Sequence, residues 1–258
     1  MEIGKNRTVN MVFRFLSNET HSKIAEFLAD ENVHYRTFEE RDQVDNVFLN
    51  STISLLENIT EEEVLALKTY TGYNFKNINA TLRRKWDYEE NGQLTEEKSE
   101  KYQHLAREIS TLIQKYPNPS VDFITYRGVN INAFYDYGIT SLEQLPALEG
   151  NFMYETGFTS TSIIRDSSYF TKGFSNIEIE YLIHRDCEDG ILLDNTFFSY
   201  SPNQNEYLLN SATFMKVEKV VVDTENQKAH LTVRVIPKKI WNQVHQEEIE
   251  ETRSYTHF

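Results

Sequence analysis

Cysteine is nearly absent from this 258-residue chain. Cys187 is the single one, so no internal disulfide can form and the fold must be held by its core. A lone thiol with no catalytic partner near it in sequence reads as a small apolar residue of the interior. Positive charge is also scarce: 26 Lys and Arg stand against 40 Asp and Glu, for a net charge of −14. A chain of that sign repels phosphate backbones, which argues against non-specific nucleic-acid binding and serves solubility. No apolar run approaches the roughly 18 residues of a membrane span. The opening MEIGKNRTVNMVFRF shows neither the long apolar stretch nor the small-residue cleavage site of a signal peptide. The nine glycines never fall into GxGxxG or GxxxxGK[ST], so a Rossmann or P-loop site is unsupported. The seven histidines form no HExxH, and no GxSxG elbow occurs, so the common zinc and serine-nucleophile kits are missing as well.

What the chain does have is aromatic side chains, 15 Tyr and 16 Phe, enough to argue for an ordered core over most of its length. Its periodicity changes once. From about residue 19 to 115 the spacing is helical. NETHSKIAEFLADEN places Ile24, Phe27 and Leu28 on one face, and Thr60 with Glu63 forms a capping box ahead of EEEVLALKTYTGYNF. NINATLRRKWDYEENG predicts a short helix ending near Gly92, and LTEEKSEKYQHLAREISTLIQKY a long one stopped by PNP at 117–119. Beyond Pro119, VDFITYRGV, GFTSTSI, IEIEYLI, GILLDN, EYLLNSATF, VEKVVVD and HLTVRVIP read as short strands, the last pair as a hairpin. The tail from 238, with QEEIEE, reads as a frayed or weakly docked end. Helices followed by strands predict an α+β fold rather than alternating βαβ units.

Three polar clusters lie on or beside those strands. Arg127 in TYRG ends an apolar strand and precedes Gly128, where a ligand can approach the backbone; its planar fork of donors suits a pyrophosphate. In FTSTSI, strand alternation puts Ser160 and Ser162 on one face and Thr161 on the other. In SPNQNEYLL, Gln204 and Glu206 stand two apart at the mouth of a strand and so share a face. Each cluster alone is also what an ordinary surface loop or edge strand would carry.

In this order and on these elements, the three resemble the Arg–Ser-Thr-Ser–(Glu/Gln)-x-Glu class of bacterial mono-ADP-ribosyltransferase toxins. The segment YTGYNFKNINATLRR at 70–84 is similar to the helical NAD-binding segment of the same class. The resemblance runs from about residue 60 to 236. It implies an N-terminal helical block packed on a mixed two-sheet β core, with a helical extension at 1–55, a catalytic domain at 56–240 and an acidic tail at 241–258. It implies an enzyme, monomeric, that consumes NAD as substrate without a metal. That enzyme transfers ADP-ribose to a protein in a target cell, a small GTPase or actin among the possible substrates, after secretion or delivery.

The resemblance also distributes roles. Glu206 stabilises the positive charge that develops on the nicotinamide ribose and bonds its 2′-hydroxyl. Arg127 grips the diphosphate. Ser160 orients Glu206, and Thr161 and Ser162 join it in the NAD-binding set. Tyr70 and Asn79 contact NAD, Arg83 or Arg84 adds a phosphate contact, and Arg165 and Phe170 reach over the site from the loop at 164–174. Gln204 addresses the target: in this class Glu at that position goes with arginine acceptors and Gln with asparagine acceptors, as in the exoenzymes that modify Rho-type GTPases. Those exoenzymes carry a target-recognising aromatic three residues earlier, where this chain has Ser201, with Tyr200 one further back. They also tend to be basic, unlike this chain. An NAD glycohydrolase, an arginine-specific transferase and an inactive adaptor module remain the alternatives.

Overall fold

The computed structural model of the protein describes residues 16–30, 33–85, 94–168, 170–193 and 205–241. Helix α1 (Asn18–Ala29) starts where Ser17 Oγ accepts from the Thr20 amide at 3.1 Å. Helix α2 (Arg41–Leu56) follows, and α3 (Glu61–Thr69) opens on the capping box read from the sequence. There Thr60 Oγ1 accepts from the Glu63 amide at 3.2 Å, and Glu63 Oε2 accepts from the Thr60 amide at 2.9 Å. Two donors that the first helical turn leaves open are thereby satisfied.

The chain then widens through Tyr70–Asn74, where Gly72 leaves helical geometry at φ −80°, ψ −120°, before α4 (Phe75–Arg83) resumes. The break turns α4 back so that Asn79 Nδ2 donates to Tyr70 Oη at 3.2 Å. Helix α4 stops at Arg84, which is left-handed at φ 54°, earlier than the end near Gly92 that the sequence predicts. Helix α5 (Glu96–Lys115), capped by Thr95, buries Tyr102, Ala106, Ile109, Leu112 and Ile113, a stripe at helical spacing, and ends before Pro117 as expected.

Eight strands follow: β1 (Phe123–Val129), β2 (Phe152–Glu155), β3 (Thr159–Ser162), β4 (Ile177–Ile183), β5 (Gly190–Leu192), β6 (Glu206–Leu209), β7 (Thr213–Asp223) and β8 (Lys228–Ile236). Their order is β2-β7-β8-β4-β1-β3-β6-β5, with β4 and β8 parallel and the other neighbours antiparallel. All eight lie in one mixed sheet, five strands on one side of a thin seam and three on the other. The two sides join where β1 meets β3 over one registered pair, Tyr126 opposite Ser162. The expected hairpin is β7–β8.

Two strand assignments differ from the sequence reading. EYLLNSATF is not one strand: the chain turns at Asn210–Ala212, with Ala212 at φ 60°, so its halves are β6 and the start of β7. The edge strand β2, paired with β7, was not foreseen. At the other end, Lys238–Trp241 forms a last helical turn, α6, and Trp241 packs edge-on against Tyr154, so that part of the tail is docked.

Phe38, Val44, Phe48 and Leu55 share one core with Phe123 and Tyr207. The Phe48 ring stands edge-on to Phe123 at 5.3 Å, and Phe123 edge-on to Tyr207 at 5.1 Å. Arg36 and Phe38 also bridge to Phe123 and Ile164. Residues 38–55 thus supply packing directly beneath β6, the strand that begins with Glu206.

Candidate active site

A cleft of about 320 Å³ lies at the β1–β3 seam, within the size range of small-molecule sites. Its lining comes from four chain regions distant in sequence. The helical block gives Tyr70, Thr71, Phe75 and Asn79. Strand β1 gives Tyr126, Arg127 and Gly128, and the stretch through β3 gives Phe158, Ser160, Thr161 and Ser162. The loop after β3 gives Ser167 and Lys172, and β6 gives Glu206.

Strand register explains the grouping. Ser162 pairs with Glu206 and Ser160 with Leu208, so both serines share a face with the carboxylate. Ser160 is exposed to the cleft and its hydroxyl bonds the Glu206 carboxylate. Thr161 points the other way, as alternation requires, and spends its hydroxyl on the Tyr207 carbonyl at 2.7 Å. Burial pushes the Glu206 carboxyl above its ordinary range, while the Ser160 hydrogen bond and the Arg127 charge pull against that shift. Among the described residues Arg127 makes no ion pair.

The acid limb of activity follows from these causes. With the role that the resemblance gives Glu206, the ionised carboxylate is the useful form, so activity is expected to fall as pH drops through the raised pKa. Replacing Ser160 with Ala removes a bond that favours the charged form, and the acid limb of kcat/KM is expected to move to higher pH. A pH profile of nicotinamide release checks this; an unmoved limb contradicts it.

Asn79 lines the cleft, and each end of its amide holds one bond: Nδ2 donates to Tyr70 Oη and Oδ1 accepts from the Phe158 amide at 2.8 Å. It pins the entry of β3 to the helical block. Arg83 lies off the lining and forms a two-point pair with Glu155, at 2.9 and 3.2 Å. Glu155 Oε1 also accepts from the Gly157 amide at 2.7 Å. A Cβ at Gly157 would stand 2.9 Å from Asn79 Oδ1 and 3.0 Å from Arg83 Nε, so glycine is what lets this corner close.

Arg165 and Phe170 also lie off the lining. Arg165 forks onto the fully buried Glu178, with its guanidinium over the Tyr126 ring, and Phe170 packs edge-on against His230 at 4.8 Å. Gln204 and Tyr200 are outside the described residues. Sequence reasoning missed Thr71, Phe75, Tyr126, Phe158, Ser167 and Lys172. Only Lys172, a cation in a loop already suspected of covering the site, carried a usable signal.

The cleft therefore offers two cations for an anionic group, aromatic walls for planar rings, and one carboxylate that can oppose a positive charge. That donor set fits a dinucleotide whose diphosphate and positively charged nicotinamide need opposite partners.

Fold and cleft together define a toxin-type ADP-ribosyltransferase. A family model described as ADP-ribosyltransferase exoenzyme matches residues 46–238, three quarters of the chain, and the protein belongs to that family. Solved structures of similar fold include C3stau2 from S. aureus with NAD, at TM-score 0.63 and 18% identity, covering 80% of this chain and 100% of that one. The Clostridium limosum C3 exoenzyme aligns at TM-score 0.57 and 16% identity over 79% and 98% of the two chains. The enzymatic component C2-I of the C2-toxin from Clostridium botulinum aligns at 0.59 and 17%, over 79% of this chain and 50% of its own. No curated protein matches this chain by sequence. The protein is an NAD-dependent mono-ADP-ribosyltransferase, with NAD consumed as substrate. No helix among the described residues is long and apolar enough to cross a membrane.

Proposed function

We propose that this enzyme modifies a side-chain amide, an asparagine, on a protein of the Rho-type GTPase class inside a target cell, to which it is secreted or delivered. The observation that carries the reading is the convergence of Arg127, Ser160 and Glu206 from three strands on one cleft, with Gln204 two residues before the carboxylate. NAD supplies the ADP-ribose and the nicotinamide leaving group. Arg127 holds the diphosphate as a bidentate donor. Ser160 fixes the rotamer of Glu206, and Glu206 opposes the positive charge that grows on the ribose as the glycosidic bond breaks. Phe75 and Phe158 wall the cleft against water. Gln204 pairs with the incoming amide through complementary donor and acceptor, and Tyr200 adds an aromatic contact to the target.

Labelling a target-cell proteome with a tagged NAD analogue, with Glu206→Ala as the blank, identifies the acceptor; mass spectrometry should place the adduct on asparagine. Nicotinamide release without any protein adduct would favour the glycohydrolase reading. Gln204→Glu is expected to cut asparagine modification about tenfold or more. A carboxylate offers acceptors only, which suit a guanidinium and leave the carbonyl of an incoming amide without a donor. Unchanged acceptor choice and rate in that variant would remove the role given to Gln204.

A further inference from the structure

Asn205, between Gln204 and Glu206, lies at the edge of the cleft. Its backbone is left-handed at φ 51°, a conformation that Asn tolerates better than most residues. Its carbonyl accepts from the Ile163 amide at 2.7 Å. Its side-chain Nδ2 donates to Ser167 Oγ at 2.8 Å, and its Oδ1 accepts from Arg41 Nη1 at 3.4 Å. Arg41 is itself steadied by Asp45, one helical turn on, at 2.7 Å. Three elements therefore meet on one residue: the end of β3, the loop that brings Ser167 and Lys172 to the cleft, and the start of α2.

We propose that Asn205 is a positioning residue for the transfer reaction, its amide clamping the entry of β6 to Ser167 and Arg41 so that Glu206 is held at a fixed place relative to the cation-bearing loop. The inference rests on the role of Glu206 argued above. Its physical basis is the steepness of catalysis with geometry. The Glu206 backbone is bonded directly to Asn205, so a tilt at Asn205 is carried straight to the carboxylate. A loosened strand entry leaves NAD contacts from Tyr70, Phe158 and Arg127 in place while the carboxylate wanders. Such a fault appears in kcat far more than in KM. The clamp also gives the first 55 residues a part in the chemistry through Arg41, which no local sequence pattern announces.

The test uses the full chain and nicotinamide release from NAD. Asn205→Gly keeps the left-handed backbone accessible and deletes only the amide. It is expected to lower kcat about tenfold to a hundredfold, with KM for NAD within about threefold and little change in melting temperature. Asn205→Asp retains acceptors for Arg41 and for a proton donated by the Ser167 hydroxyl, and is expected to recover most of kcat. A kcat for Asn205→Gly within about threefold of the parent overturns the proposal. So do equal losses in the Gly and Asp variants that track a lowered melting temperature, since those report folding. Should Asn205→Gly fail to fold, Ser167→Ala removes the same bond from its other end, and a kcat like the parent's there overturns the proposal. Where both singles fold, the double variant is expected to lose no more than the worse of them, whereas additive losses contradict a shared bond. Glu206→Gln runs alongside: full activity in that variant sinks the reading of Glu206 itself, whereas a dead Glu206→Gln with active Asn205 variants removes only this inference.

Discussion

Glu206→Gln is expected to slow nicotinamide release by about 10² to 10³, with NAD still bound. The substitution keeps the shape and keeps an oxygen that Ser160 can reach, so a role limited to hydrogen bonding would cost on the order of 1 kcal/mol, near fivefold. The larger figure requires the negative charge itself, acting in a cleft where Tyr70, Phe75, Tyr126 and Phe158 thin out the water. Steady-state kcat with the isosteric variant separates the two: a loss under about tenfold would reduce Glu206 to a hydrogen-bonding partner. Stability is expected to move the other way. The folded protein raises the Glu206 pKa, chiefly by burial. The protonated form is therefore favoured on folding, and the group's contribution to stability is lost as pH rises through that pKa. At neutral pH the uncharged Gln escapes this penalty, so the melting temperature of Glu206→Gln should equal or exceed that of the parent, the usual trade between a strained site and a stable one.

Gly190→Ala is expected to destabilise the fold by about 3 kcal/mol, the upper end of the usual overpacking cost, lowering the melting temperature by roughly 10 °C. A Cβ at Gly190 would lie 2.4 Å from Tyr207 Cε1 and 2.5 Å from both Cζ and Oη. The tyrosine cannot step aside: it is fully buried, with Phe123 and Phe48 edge-on against its ring. Its neighbour in the chain is Glu206, and Leu192 of β5 pairs with it directly. Any adjustment in β5 or β6 thus reaches the Glu206 carboxylate, and with the role proposed for it activity should fall even at temperatures where the variant stays folded. A thermal melt within about 2 °C of the parent would show that the β5 backbone can give way without cost.

How far the sequence reached depended on the range of the interaction that fixes each feature. The caps at Thr60 and Thr95 each span three residues; the first is read from that spacing, while the second lies unremarked inside the stretch predicted as a long helix. Alternation in FTSTSI assigned the faces of Ser160, Thr161 and Ser162 for the same reason. The convergence of Tyr70, Asn79, Arg127, Ser160 and Glu206 was foreseeable only through the resemblance of motif order, since no local rule brings residues so distant in the chain together. Arg83 shows the limit. Its partner Glu155 lies 72 positions away, and nothing near either residue announces the pair. Asn79 carried a family signature but gives its amide to Tyr70 and Phe158. The edge strand β2 reads Phe-Met-Tyr-Glu, with three apolar or aromatic residues in a row and no alternation to mark it. The turn at Ala212 is left-handed without glycine, so the usual punctuation was missing and two strands read as one.

The burial of Cys187 has a practical consequence. Its sulfur is fully enclosed, and burial pushes the thiol far above its ordinary titration range. Maleimide and iodoacetamide reagents attack thiolates that they can reach, so the native fold is silent towards them. A cysteine introduced on the surface would then be the only site of dye attachment, and fluorescence could follow cleft opening or target docking from a chosen position without first deleting the natural residue.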